Sequence, residues 1–433
     1  MSTELLGALG IIAIIVALML KFWLGAAFLI IGFLGYGLLD GWNKALLMIP
    51  MQSFSTMTRY DTTVIPMFIL MAAVSASTGI SGDLYRTARV WFGQIRGGLA
   101  MATVAGCGMF AAISGSSMAT SMAIGKAAYP ELRKYGYDER LAAGSIAAGG
   151  TIGNLIPPSM GFILYGILTE TSVGNLFMAG ILPGLLEVVL YMLVIYLICR
   201  LKPEMGPPGP KTSIIEKIVS LKDTWHMIAL FLLVMGGIYL GIFTPTEAGA
   251  IGAFGALIIT FFTRRLTLGR LISSLKEAAE TTGMLIMILV GVMIFMRFLT
   301  VSGLPAFLGN YVTTLHVQPM LIMLVIIIFY LFAGAFMDIL ACIFITVPIF
   351  FPIVMELGFD PLWFGVIVVM MFEIGAITPP MGLNVFVLSA ATDVPVMTIF
   401  RGIVPFLIAD LARVILVVAF PAISLYLPMV MRG

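Results

Sequence analysis

Charge is scarce in this sequence. Of 433 residues, 23 are Lys or Arg and 21 are Asp or Glu, so 10% are charged, against about 25% in a soluble globular domain. There are two histidines, His226 and His316, far apart. The three cysteines, Cys107, Cys199 and Cys342, lie in apolar surroundings without metal-ligand spacing. Neither a disulfide framework nor a zinc or other transition-metal site is indicated. No His-Glu-x-x-His pair, Gly-x-Ser-x-Gly elbow or His-Ser-Asp set occurs, which argues against a membrane enzyme. Absence of a Gly-x-x-x-x-Gly-Lys-Ser/Thr loop disfavours an ATP-driven pump, and neither an organic cofactor nor a nucleic-acid partner is implied. What fills the chain instead is apolar: 61% hydrophobic residues and a mean hydropathy of +1.12. Runs such as Leu5–Leu20, Ile181–Cys199, Met227–Phe243 and Met320–Phe336 approach the roughly 20 residues that cross a bilayer core. The first run has no basic n-region and no small-residue cleavage site before Lys21, so it reads as a span rather than a signal peptide.

The basic residues fix an orientation. With the amino terminus outside, Lys21, Arg86, Arg89, Arg96, Lys126, Arg133, Lys134, Arg140, the five from Arg200 to Lys222, Arg264, Arg265, Arg270, Lys276 and Arg401 fall on the cytoplasmic side. Lys44, Arg59, Arg297, Arg413 and Arg432 remain. The reverse orientation would invert that excess.

The one long polar stretch, Lys202–Asp223 with Pro203, Pro207, Pro208 and Pro210, reads as a cytoplasmic linker. It divides the chain near its middle. Pro157-Pro158 matches Pro379-Pro380 at an offset of 379 − 157 = 222. The same offset pairs Pro130 with Pro352, Gly136 with Gly358, Asp138 with Asp360, Gly153 with Gly375, Gly180 with Gly402 and Pro183 with Pro405. Chance apolar similarity would not align prolines and glycines, so the chain is read as two repeats.

The expected fold is an all-α polytopic membrane protein with about 10 spanning helices and two re-entrant hairpins. Spans are placed near 5–20, 23–40, 62–80, 139–170 and 176–200, and near 225–242, 245–263, 278–299, 361–392 and 396–427. Segments 98–130 and 319–356 are too long for one crossing and are interrupted at their middles, as hairpins require. An odd number of crossings between equivalent points makes the repeat inverted, the organisation of many secondary transporters. The first repeat then covers 1–200, with scaffold helices to 80 and a transport part over about 98–175; 201–223 is the linker. The second repeat covers 224–433, with scaffold helices 224–299 and a transport part over about 319–395. Asp83–Arg96, amphipathic, would lie along the interface or form an ordinary loop helix.

At the first hairpin, Ser114-Gly115-Ser116-Ser117 sets hydroxyls and a glycine where the chain reverses. Hydroxyls and carbonyls freed at a helix break are oxygen donors suited to sodium; the alternative is close helix packing by small residues. Gly149–Ser159 carries glycines and then Pro157-Pro158, and Glu373–Asn384 carries Gly375, Thr378, Pro379 and Pro380. Prolines lack the amide hydrogen and clash with the preceding turn, so both spans break. Two matched breaks opposite two hairpins suggest two cation sites.

These residues resemble the large membrane subunit of the tripartite ATP-independent periplasmic (TRAP) transporters over nearly the whole chain. The likeness rests on Ile65-Pro66-Met67-Phe68, Ile113–Ser117, Ile156–Ser159, Leu176–Gly184, Thr244-Pro245-Thr246-Glu247-Ala248 and Thr378-Pro379-Pro380, in that order. The resemblance implies sodium-coupled uptake of a small organic anion, carboxylate or sulfonate, across the bacterial or archaeal inner membrane by an elevator mechanism. It implies a periplasmic binding protein that delivers substrate and a small membrane subunit of about four helices. With no such segment before Met1, a separate chain is expected. Carried over residue by residue, one sodium site would comprise Ser114, Gly115, Ser116, Ser117, Gly150, Asn154 and Pro157, and the other Gly334, Asp338, Thr378, Pro379 and Met381. The anion would sit between the hairpin tips, with Ser117, Thr120 and Asn384 as contacts, favoured by helix amino termini and bound sodium.

Asp338 is alternatively a helix cap. Asp410 and Arg413, three apart on one helix, could neutralise each other. Glu187 and Glu247 could pair within the scaffold or at its lipid rim, and Glu373 could tune the cation site, receive protons or serve structure alone. A stand-alone sodium symporter of the divalent-anion type is the rival reading, separable by whether a small four-span protein and a secreted binding protein are encoded alongside.

Overall fold

A computed structural model describes residues 2–314 and 317–432; His316 lies outside them. The described residues form 21 α-helices and a few 3-10 turns, with no strand. Seven helices of 18 residues or more are apolar enough to cross a bilayer, an eighth arises if the bent pair 214–223 and 225–239 counts as one span, and several shorter apolar helices join them. Thr3–Met19 and Leu24–Asp40, 17 residues each, sit at the short end of the roughly 17–25 residues that span.

The offset of 222 recurs in the helix boundaries. The first hairpin is Gly98–Ser114 and Ser117–Lys134; the second is Pro319–Phe336 and Ile339–Glu356. The first broken span is Glu139–Thr151 and Met160–Thr169; the second is Pro361–Ile377 and Leu383–Thr392. Both prolyl pairs, Pro157-Pro158 and Pro379-Pro380, are cis, and Gly136 and Gly358 both take the left-handed turn (φ 73° and 79°). Packing between the halves is reciprocal. Leu383–Thr392 lies on Ser117–Lys134 of the first half, while Met160–Thr169 lies on Ile339–Glu356 of the second; Val396–Ala419 packs on Glu139–Thr151 as Val173–Leu201 packs on Pro361–Ile377. Exchanged partners of this kind mark a two-fold relation between the repeats.

The remaining helices form a frame around this core. Leu24–Asp40 crosses Leu268–Ser302 closely, and Val64–Ser77 lies against both Leu268–Ser302 and Pro245–Phe262. The crossing depends on small residues: a Cβ on Gly32 would stand 2.8 Å from the Phe295 Cα, and one on Gly291 would stand 2.4 Å from the Gly25 carbonyl oxygen.

Several expected boundaries shift. The span read at 278–299 is a 35-residue helix, Leu268–Ser302, because charged residues at its amino-terminal end hide a helix that leaves the apolar layer. The span read at 396–427 ends at Ala419 and resumes at Ala422, since Pro421 cannot continue the first helix. An additional helix, Trp42–Thr58, holds Pro50 and polar residues that interrupt its apolar run. The linker is not featureless: Ser213 and Glu216 form a capping box on the helix Ile214–Ser220, and Gly206 and Met205 accept backbone hydrogen bonds from Gly97 and Asp138. The amphipathic segment is the helix Ile80–Phe92. Its Arg89 bonds Glu131 at 2.7 Å at the far end of the first hairpin, and its Asp83 pairs with Arg265.

Candidate functional site

At the first tip, Gly98–Ser114 ends because Gly115 adopts the left-handed conformation (φ 61°), and Ser116 caps the next helix by accepting from the Ala119 amide at 3.3 Å. The hydroxyls interlock: Ser114 Oγ and Thr120 Oγ1 are 2.8 Å apart, and Thr120 donates to the Ser116 carbonyl at 2.8 Å. The broken span meets this tip directly. Asn154 Oδ1 accepts from the Ser117 amide at 3.2 Å, and the Met160 amide reaches the Gly115 carbonyl at 3.4 Å. A Cβ on Gly115 would lie 2.4 Å from the Pro158 carbonyl oxygen, and one on Gly153 only 2.6 Å from the Ser116 carbonyl oxygen. Gly150 stands beside Ser121. Ser114, Gly115, Ser116, Ser117, Asn154 and the turn through Pro157 are thereby gathered into one oxygen-rich junction, almost wholly buried.

The second junction is built differently. Gly334 and Gly375 touch through their backbones; a Cβ on Gly375 would fall 2.3 Å from the Gly334 carbonyl carbon. Thr378 donates its hydroxyl to the Ile374 carbonyl at 2.6 Å and its amide to Gly375, while the Met381 amide reaches the Ala335 carbonyl at 3.3 Å. Gly334, Thr378, Pro379 and Met381 therefore come together. Asp338 takes another direction: it caps Ile339–Glu356, accepting from the Leu340 amide at 3.2 Å, and lines a cavity it shares with the first tip.

That cavity, about 300 Å³, lies between both hairpin tips and the frame. Ser114–Ala119 and Asn154 form one wall, Asp338–Leu340 another, and Ala72, Ala76, Glu277 and Thr281 the third. No basic side chain lines it, whereas two carboxylates do, so an anion entering would meet repulsion unless cations accompany it. Ser117 faces this space. Thr120 and Asn384, the other expected anion contacts, are fully buried away from it, and both amide atoms of Asn384 lack a partner among the described residues. Glu277 was missed from sequence, where it stands in an ordinary charged helix end.

The buried charges also find partners. Arg413 pairs with Asp410 at 3.2 Å, with Glu373 at 3.3 Å and with Glu187; all four side chains are at most 1% exposed. Glu373 thus points at Arg413 rather than at the second junction. Glu247 closes a capping box with Thr244, accepting its amide and hydroxyl at 2.8 and 2.9 Å. No group of three or more His, Cys, Asp or Glu able to hold a metal occurs among the described residues.

Residues 10–423 match the family model of the tripartite ATP-independent periplasmic transporter DctM component. The chain is 42% identical over 376 residues to a C4-dicarboxylate TRAP transporter large permease protein of Pseudomonas aeruginosa, covering 87% of this chain and 88% of that one. It is 33% identical to the sialic acid TRAP transporter large permease protein of Vibrio cholerae over 88% of this chain and 89% of the relative. In fold it resembles the YdaH transporter of Alcanivorax borkumensis, with a TM-score of 0.63 at 14% identity, covering 88% of this chain and 89% of that one.

Proposed function

Because the chain belongs to the DctM family of TRAP transporter large permeases, and so is an inner-membrane transport subunit rather than an enzyme, we propose that it imports a small organic anion together with sodium. The observation that carries this reading is the pairing of two oxygen-lined junctions with a cavity that holds two carboxylates and no basic group. Sodium at the junctions would supply the positive potential that an anion needs there.

One sodium ion would bind at Ser114, Gly115, Ser116, Ser117, Gly150, Asn154 and Pro157. The other would bind at Gly334, Thr378, Pro379 and Met381, with Asp338 contributing from the cavity side. Backbone carbonyls at the breaks have lost their intrahelical partners and suit a hard cation. Ser117 would contact the anion first; Thr120 holds the tip in shape, and Asn384 would join the contact only when the second broken span moves. The substrate class follows the two relatives described above, named for a C4-dicarboxylate and for sialic acid, and a C4-dicarboxylate is the first to test.

Ala76 and Glu277 in the cavity wall belong to the cytoplasmic halves of their helices in the expected orientation, so this conformation is read as inward-facing. Elevator movement of hairpins and broken spans against the frame would carry the cavity to the other side. A separate small membrane subunit would support the frame, and a periplasmic binding protein would deliver the anion. The test is uptake by proteoliposomes containing both subunits and the binding protein; Ser116→Ala and Thr378→Ala should each raise the sodium concentration for half-maximal uptake. If both leave it unchanged, the sites are misplaced.

A further inference from the structure

The buried ion cluster sits where the two repeats meet, and its members are related by the repeat itself. Thr151 and Glu373 are equivalent positions (373 − 151 = 222), as are Tyr191 and Arg413 (413 − 191 = 222). Thr151 donates to Glu187 at 2.9 Å, and Tyr191 donates to Asp410 at 2.7 Å. Four helices contribute: Glu139–Thr151, Val173–Leu201, Pro361–Ile377 and Val396–Ala419. The titratable groups facing one another across them are Glu187, Tyr191, Glu373, Asp410 and Arg413.

Three carboxylates face one guanidinium, so full ionisation would leave 3 − 1 = 2 uncompensated negative charges in a region at most 1% exposed. Such an excess is not sustained without solvent or further cations. The hydrogen bonds indicate where it is relieved. Glu187 has Arg413 and the Thr151 hydroxyl, and Asp410 has Arg413 and the Tyr191 hydroxyl. Glu373 has only its 3.3 Å approach to Arg413 through Oε2, and its Oε1 has no hydrogen-bond partner among the described residues; Asp410 Oδ1 has no hydrogen bond there either, but lies 3.2 Å from Arg413 Nη2. Both Glu373 Oε2 and Asp410 Oδ1 approach the same Nη2 of Arg413. Glu373 is thus the carboxylate of the three with the fewest donors, and a proton on it removes one surplus charge at the least cost in hydrogen bonds.

We propose that Glu373 is a buried proton-binding site on the axis between the repeats, holding its carboxyl as the neutral acid near neutral pH in this conformation. The proton enters or leaves when movement between the repeats admits water to the cluster. Glu373 lies two residues before Gly375 and five before Thr378, so ionising it would disturb the second junction; that consequence rests on the sodium reading, whereas the proton site does not.

The test is infrared spectroscopy of the purified membrane-embedded protein near neutral pH, wild type against Glu373→Gln and Glu187→Gln, with glutamate carboxyls labelled with carbon-13. The expected result is a protonated-carboxyl C=O stretch in the wild type that shifts with the glutamate label, is lost in Glu373→Gln and remains in Glu187→Gln. A band that survives in Glu373→Gln and disappears in Glu187→Gln overturns the assignment. Should Glu373→Gln fail to fold, Glu187→Gln decides, because Glu187 and Glu373 are the buried glutamates among the described residues: a glutamate-sensitive band that remains in Glu187→Gln supports the assignment, and one that disappears overturns it. A wild type without any glutamate-sensitive protonated band overturns the proposal, and a pH titration that removes such a band on alkalinisation supports it.

Discussion

Replacing Gly153 by Ala probes the first junction with a displacement that can be worked out beforehand. The added Cβ would stand 2.6 Å from the Ser116 carbonyl oxygen and 2.7 Å from Thr120 Oγ1, and ordinary contact begins at 3.4 Å. The tip must retreat from the break by 3.4 − 2.6 = 0.8 Å, several times the roughly 0.2 Å within which coordination distances hold. Neither side yields easily, since Ser116 contributes backbone and Gly153 lies in a buried turn. Overpacking of this kind costs about 1–3 kcal/mol. If the strain is relieved by opening the junction and returns whenever sodium closes it, sodium affinity falls by about 5- to 150-fold. The assay is the sodium dependence of the unfolding midpoint of purified protein, where stabilisation grows as the logarithm of ligand concentration over Kd. Gly283→Ala is the control: nothing lies within 4 Å of its Cβ position, and an exposed helical Gly→Ala is neutral or stabilising by about 0.5–1 kcal/mol. A folded Gly153→Ala protein whose sodium response matches wild type would refute the assignment of sodium to this junction.

Arg413→Met should leave Glu187 and Asp410 buried without their counter-ion and lower stability by about 3–5 kcal/mol, read as loss of monodisperse protein on size exclusion at neutral pH. Glu247→Ala removes the carboxylate that accepts the Thr244 amide while leaving the Thr244 cap in place, a loss of about 0.5–1.5 kcal/mol, and should lower the unfolding midpoint without altering the sodium concentration for half-maximal uptake. Asn154→Ala strips the buried Ser117 amide of its acceptor, a loss of about 1–3 kcal/mol, and should weaken sodium binding more than Thr378→Ala, whose hydroxyl already bonds the Ile374 carbonyl. Asp338→Asn keeps an acceptor for the Leu340 amide, so the cap should survive with little change in unfolding midpoint, while the sodium dependence of uptake shifts if the carboxylate serves the ion.

The hairpins and broken spans were legible because glycine and proline impose breaks that hydropathy alone cannot show, and because each break occurs twice. Helix ends at Ser114 and Phe336, and at Lys134 and Glu356, follow the offset read from the prolines. Trp42–Thr58 escaped because Lys44, Pro50 and Gln52 interrupt its apolar run. The gap at Phe420-Pro421 was hidden by apolar residues on both sides. Of the buried cluster, the Asp410–Arg413 pair was readable from its spacing of three, but Glu187 and Arg413 are 226 residues apart and only the packing of the two repeats joins them. A signal was nonetheless present: the offset that aligned the prolines also aligns Thr151 with Glu373 and Tyr191 with Arg413. The cavity's acidic third wall had no such signal, since Glu277 is brought to the hairpin tips by the long helix of the frame.

Sodium coupling is the claim on which the account turns, and uptake of a labelled C4-dicarboxylate by proteoliposomes containing this chain, the small subunit and the cognate binding protein tests it most directly. Uptake is predicted to require an inward sodium gradient and to stop when potassium or choline replaces sodium at equal ionic strength. Uptake that proceeds at the same rate without sodium would contradict it.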